Sequence, residues 1–131
     1  MVILLHGSWP PPMPIVIQWL RDMAGIDASA EVPENLSAKL PAVVVSPAPG
    51  GSMTDGYTRG RAVDIDIFAA DWKSMDATIG KVETALSRLQ GDGNQYGYVD
   101  SSTLTSFSEV SHSMPGVLRC TATVTLSTRP Q

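Results

Sequence analysis

Two carboxylates, Asp64 and Asp66, stand two positions apart in the run Arg61-Ala62-Val63-Asp64-Ile65-Asp66-Ile67-Phe68-Ala69. On an extended backbone both fall on the same side, about 7 Å apart. Paired carboxylates on a strand can hold Mg²⁺ and support hydrolysis. Such a centre needs further ligands and a cation for phosphate. Glu109, Asp71 and His112 are the nearest additions, and no spacing in the sequence joins them to the pair. The run Leu4-Leu5-His6-Gly7-Ser8-Trp9 imitates the strand and His-Gly turn that supply an oxyanion donor in α/β-hydrolases. No Gly-x-Ser-x-Gly elbow accompanies it, and the chain is about half the length that fold needs. His6 and His112 lack metal-ligand spacing, and Ser8, Ser46 and Ser52 have no activating base beside them. Gly50-Gly51 has neither the Gly-Lys-Ser/Thr of a phosphate loop nor a helix directly after it. Cys120, the single cysteine, alternates with apolar residues and reads as a buried, inert thiol. It can form no intrachain disulfide and no Cys-rich zinc site. The residues therefore suggest a non-enzymatic protein with no cofactor and no metal. Asp64 and Asp66 are better read as a solvated strand face or a subunit contact.

The elements that carry these residues follow from periodicity. Pro14 to Ala24 predicts a helix: proline suits a first turn, Ile15, Trp19 and Met23 share a stripe with Val16 and Leu20, and Gly25 stops it. Ile26 to Lys39 has no sustained period and reads as a surface connection. Leu40 to Ser46, with Val43-Val44-Val45, predicts a strand covered on both faces. Ala48 to Gly60, rich in Gly and Pro, is a long loop. Arg61 to Ala69 is the second strand, with Val63, Ile65 and Ile67 toward the core. Asp71 caps a helix whose stripe is Trp72, Met75, Ile79, Val82, Leu86 and Leu89, and Gly91-Asp92-Gly93-Asn94 turns the chain. Tyr96 to Val110 is a polar strand region, with Leu104, Ser106, Ser108 and Val110 alternating against Thr105, Phe107 and Glu109. Pro115-Gly116 turns it into Val117 to Ser127, whose buried face is Leu118, Cys120, Ala122, Val124 and Leu126. The order α-β-β-α-β-β predicts a two-layer α+β domain, a four-stranded, mostly antiparallel sheet packed by two helices.

At 131 residues the chain is expected to form one domain, residues 13–131, behind a proline-rich arm, residues 1–12. Pro10, Pro11 and Pro12 make that arm stiff and extended. It is expected to lie on a neighbour or on the domain surface, with Trp9 either an interface anchor or packed on its own chain. The net charge of −4 and the scattering of nine Lys and Arg give no basic stripe for gripping nucleic acid. No run approaches a membrane span or a secretory leader.

The segments Leu40-Pro41-Ala42-Val43-Val44-Val45, Gly50-Gly51 and Val63-Asp64-Ile65-Asp66-Ile67-Phe68-Ala69, with the helix that follows, resemble tail terminator proteins of long-tailed phages, particularly those of actinobacteria. Trp19-Leu20-Arg21 on the first helix and the ending Ser127-Thr128-Arg129-Pro130 resemble them as well. The likeness spans residues 13–131, and residues 1–12 depart from it. It implies the small lambda-type terminator fold and a structural virion protein assembled in the host cytoplasm. It implies a homohexameric ring on the head-proximal end of the tail tube, with the tube protein on one side and a head-completion or stopper protein on the other. Genomic DNA would pass through the lumen, which an acidic lining would leave free of phosphate-gripping cations. Trp9, Pro10, Pro11, Pro12, Arg59, Arg61, Asp64 and Asp66 are the candidate interface or lumen residues. The competing readings are another head–tail connector, stopper or minor tail protein, and a small metal-dependent hydrolase using the aspartate pair.

Overall fold

The fold is described from a computed structural model, over residues 9–49, 52–53, 59–111 and 114–129. Helix α1 (Pro12–Ala24) leads to a 3-10 turn (Leu36–Ala38) and to strands β1 (Ala42–Pro47), β2 (Ser52–Met53) and β3 (Arg59–Ala69). Helix α2 (Trp72–Ser87) follows, then β4 (Asp92–Asn94), β5 (Gly97–Val99), β6 (Ser101–Leu104), β7 (Ser108–Val110) and β8 (Leu118–Thr128). The result is an α+β two-layer domain, with both helices on one face of an antiparallel sheet.

The sheet has more strands than expected. Its order is β1-β3-β8-β6, with β2 pairing β3 and β7 pairing β8. Because β3 already meets β8 along its whole length, β2 must continue the rank of β1; by the same reasoning β7 continues the rank of β6. Two of the ranks are thus broken into pieces. Leu104 pairs Val124 and Ser108 pairs Thr121, so four steps on the outer rank oppose three on β8. That is a bulge, and it reverses the side-chain alternation. Leu104 before it and Phe107 after it both pack against the core, where unbroken alternation had put them on opposite faces. Thr105 closes the gap: its N–H donates to the Thr123 carbonyl at 2.9 Å, and its hydroxyl accepts from Thr123 N–H at 2.9 Å. The β4–β5 hairpin, expected as a turn at Gly91 to Asn94 followed by the start of a polar strand region, is a separate two-stranded sheet.

Apolar periodicity explains the core. Ile15, Val16, Trp19 and Leu20 from α1 meet Met75, Val82, Ala85 and Leu86 from α2 over Val63, Ile65, Ile67, Cys120, Val124 and Leu126. Fully burying each such aliphatic side chain contributes about 1.5–3 kcal/mol. Val43 and Val45 join this core, while Val44 faces a second cluster with Leu36, Ala42 and Phe68 on the opposite side of the sheet. That two-sided cover is why three consecutive valines suit β1. Its open edge is bridged by Ser29, which donates its N–H to the Val43 carbonyl and accepts from Val45 N–H at 2.8 Å.

Helix ends follow local chemistry. Pro12 and Pro14 sit in the first turn of α1, where missing N–H groups cost nothing, so the helix starts at Pro12 rather than Pro14. Gly25, at φ 65°, ends it in the left-handed conformation with its N–H on the Leu20 carbonyl. Asp71 caps α2 by accepting Ser74 N–H at 2.8 Å. The expected stripe of α2 needs one correction: Trp72 is 48% exposed, and Thr78 and Ala85 are buried instead. Trp72 opens the helix where α2 has only just left the end of β3, before the helix lies over the sheet.

Candidate functional site

Asp64 and Asp66 do share the sheet face opposite the helices, both half-buried. Their register on β8 determines what they meet. Asp64 lies across from Thr123 and accepts its hydroxyl at 2.7 Å. Asp66 lies across from Thr121 and takes an ion pair from Arg119 Nη2 at 3.1 Å. Arg119 also stands over the Phe68 ring at 5.8 Å, which couples the ion pair to the small second core. These carboxylates are engaged in holding β3 to β8. Among the described residues, no three or more His, Cys, Asp or Glu come together as a metal cluster. His6 and His112 lie outside the described residues. Thr121, Thr123, Thr125 and Ser127 continue the polar face along β8, so this side of the sheet offers hydroxyls and carboxylates rather than a cleft.

Cys120 is buried on the helix side. Burial, with smaller contributions from Glu109 and Asp76, pushes its thiol above the ordinary range. A protonated, enclosed thiol is a poor nucleophile.

The other candidates gather at the opposite end of the sheet. Arg59 stands over the Trp9 ring, 5.8 Å from its centroid, in cation–π range. Pro10 and Pro12 are buried. A Cβ on Gly97 would collide with Pro10 Cβ and lie 2.8 Å from its Cγ and 3.1 Å from Ile15 Cδ1. Pro10 and Pro12 therefore pack on their own domain, one of the two places expected for the arm. Trp9 is half-buried and Pro11 exposed; they keep surface for a neighbour. Arg61 lies in a groove of about 310 Å³ walled by Pro11, Pro12, Pro14, Pro47 and Ala62.

Sequence reading missed three exposed aromatics. Trp72, Tyr96 and Tyr98 are 48%, 45% and 46% exposed. The tyrosines flank Gly97 on the β4–β5 hairpin, next to Pro10. The Asn94 amide donates to the Ile15 carbonyl at 3.0 Å and anchors that hairpin to α1. The Gly-rich stretch Gly91 to Gly97 was the only signal that could have disclosed a hairpin there. Among the described residues, no helix is long and apolar enough to cross a membrane.

No protein-family profile matches the chain, and no curated protein matches its sequence. Fold comparison does find a likeness. A chain in the solved structure of the virion of a native gene transfer agent particle superposes with a TM-score of 0.63 at 13% identity. The match covers 98% of this chain and 99% of that one. At such identity the likeness is one of fold, and it extends from end to end of both chains.

Proposed function

We propose that this protein is a structural component of a tailed virion, a terminator that forms a hexameric ring on the head-proximal end of the tail tube. The observation that carries the proposal is the end-to-end fold likeness to a virion chain. The resemblance of residues 40–69 and of the chain's ending to phage tail terminators narrows it. In this reading the ring stops tube growth and presents the surface that the head-completion protein meets, while DNA passes through the lumen. The residues fit a role in contacts rather than in catalysis: the aspartates are engaged by Thr123 and Arg119, and the exposed aromatics Trp72, Tyr96 and Tyr98 are the kind of side chain that anchors interfaces.

The fold likeness supports a neighbouring joining protein almost as well, because it is to a virion chain without a stated position. Particles assembled without the protein separate the two readings. Overlong tails are expected for a terminator. Tails of normal length that fail to join heads would assign the chain to the stopper position. Negative-stain imaging of purified protein mixed with tail tubes should show rings at tube ends; a strict monomer at micromolar concentration, with and without tubes, would overturn the ring.

A further inference from the structure

The groove around Arg61 sets a guanidinium against an apolar wall. Pro11, Pro12, Pro14, Pro47 and Ala62 line it, and among the described residues Arg61 makes no ion pair. The first turn of α1, which borders it, brings no carboxylate. A guanidinium beside rigid apolar surface is suited to a partner that presents an aliphatic side chain and a carboxylate together.

One described segment of this chain has that form. Val32 is 51% exposed, with exposed Glu31 and Glu34 on either side and Pro33 stiffening the turn. Neither glutamate makes an ion pair among the described residues. The Ser29 hydroxyl donates to the Glu31 carbonyl at 2.8 Å, which holds the turn in place. This knob shares a hollow with Lys39 and with Pro41, Ala42 and Val43 at the start of β1, whereas the groove touches Pro47 at its end. The two patches are about 17 Å apart along the strand, so they do not compete for one space.

We infer that the groove receives the Glu31-Val32-Pro33-Glu34 knob of a second copy of this chain. Val32 enters between the prolines, and a knob glutamate pairs with Arg61. Two different patches meet, so the contact is heterologous, the kind that generates a ring when the rotation between copies closes. The inference rests on the ring reading and names the contact that would build it.

Charge reversal and rescue test it. Arg61→Glu is expected to weaken self-assembly at least tenfold, read by native mass spectrometry or light scattering at low and moderate salt. Glu31→Arg with Glu34→Arg is expected to do the same, and all three changes together to restore assembly. Arg61→Gln, which removes charge but keeps length, should fall between wild type and Arg61→Glu. Thermal melts confirm that each variant is folded. A second measurement, independent of charge, pairs Met13→Cys in one copy with Val32→Cys in another, and a disulfide dimer is expected on oxidation. Folded Arg61→Glu protein that assembles like wild type, or a triple variant that is not rescued, would overturn the groove and leave the ring standing. A wild type that is monomeric with and without tubes would remove the ring itself.

Discussion

Ser74 N–H meets the Asp71 carboxylate at 2.8 Å, and this contact has a pH signature. The hydrogen bond from Ser74, aided by nearby Lys73, holds the Asp71 carboxyl below its ordinary value of 3.8. The unfolded chain therefore binds the proton more readily than the folded one. The stabilisation is fully present above the unfolded value and is lost as pH falls through the folded value. Asp71→Asn keeps an amide oxygen at the cap but no titrating group. Between pH 6 and pH 3 its urea midpoint should fall less than that of wild type; equal losses would show that the cap does not contribute to acid sensitivity. The capping role was legible because Asp before an apolar-periodic run has one strong local use. Trp72, the next residue, was misread for a complementary reason. Periodicity states which helix face a residue shares, but not whether the sheet extends far enough to cover it. Asp64 and Asp66 were placed correctly on one face, whereas their partners Thr123 and Arg119 come from a strand more than fifty positions away.

At the level of elements, α1 and α2 are joined by more than apolar contact. Trp19 Nε1–H donates to the Ala85 carbonyl at 2.6 Å in the core. Trp19→Phe keeps most of the ring and removes the donor, so about 0.5–1.5 kcal/mol of stability should be lost. Chemical denaturation reads this directly, with a nearly unchanged m-value because the fold and almost all of its buried surface are retained. A neutral result would mean that ring packing alone joins the helices. The two long helices and the strands β3 and β8 were readable because each carries its own period, and β1 because its run of valines suits a strand covered on both faces. The outer rank was not, because a bulge of one residue is invisible in a Ser/Thr-rich stretch where both faces look alike. The β4–β5 hairpin was hidden for a different reason. Its close fit depends on Gly97 admitting Pro10, a contact between residues almost ninety positions apart.

Over the whole molecule, that contact changes the standing of the N-terminal segment. Composition alone separates residues 1–12 as an arm, and a removable arm should leave the melting transition nearly unchanged. The structure gives Pro10 and Pro12 buried positions, places Trp9 against Arg59 and starts α1 at Pro12. Deleting residues 2–12 would remove Pro11 and Pro12 from the groove wall, uncover Ile15 and take away the first residue of α1. Two buried side chains and a weakened first turn amount to roughly 2–4 kcal/mol. For a chain of this size each kcal/mol moves the transition by about 2–8 °C, so a drop on the order of ten degrees is expected by calorimetry. Gly97→Ala should shift it in the same direction without shortening the chain, because the added methyl meets Pro10. If the deletion melts like wild type, the segment is an external arm and its losses in assembly can be assigned to an interface. If it melts lower, as the packing requires, assembly defects in such a truncation report instability first. The interface of the ring must then be probed at Arg61, Glu31 and Glu34, where charge can be reversed without disturbing the core.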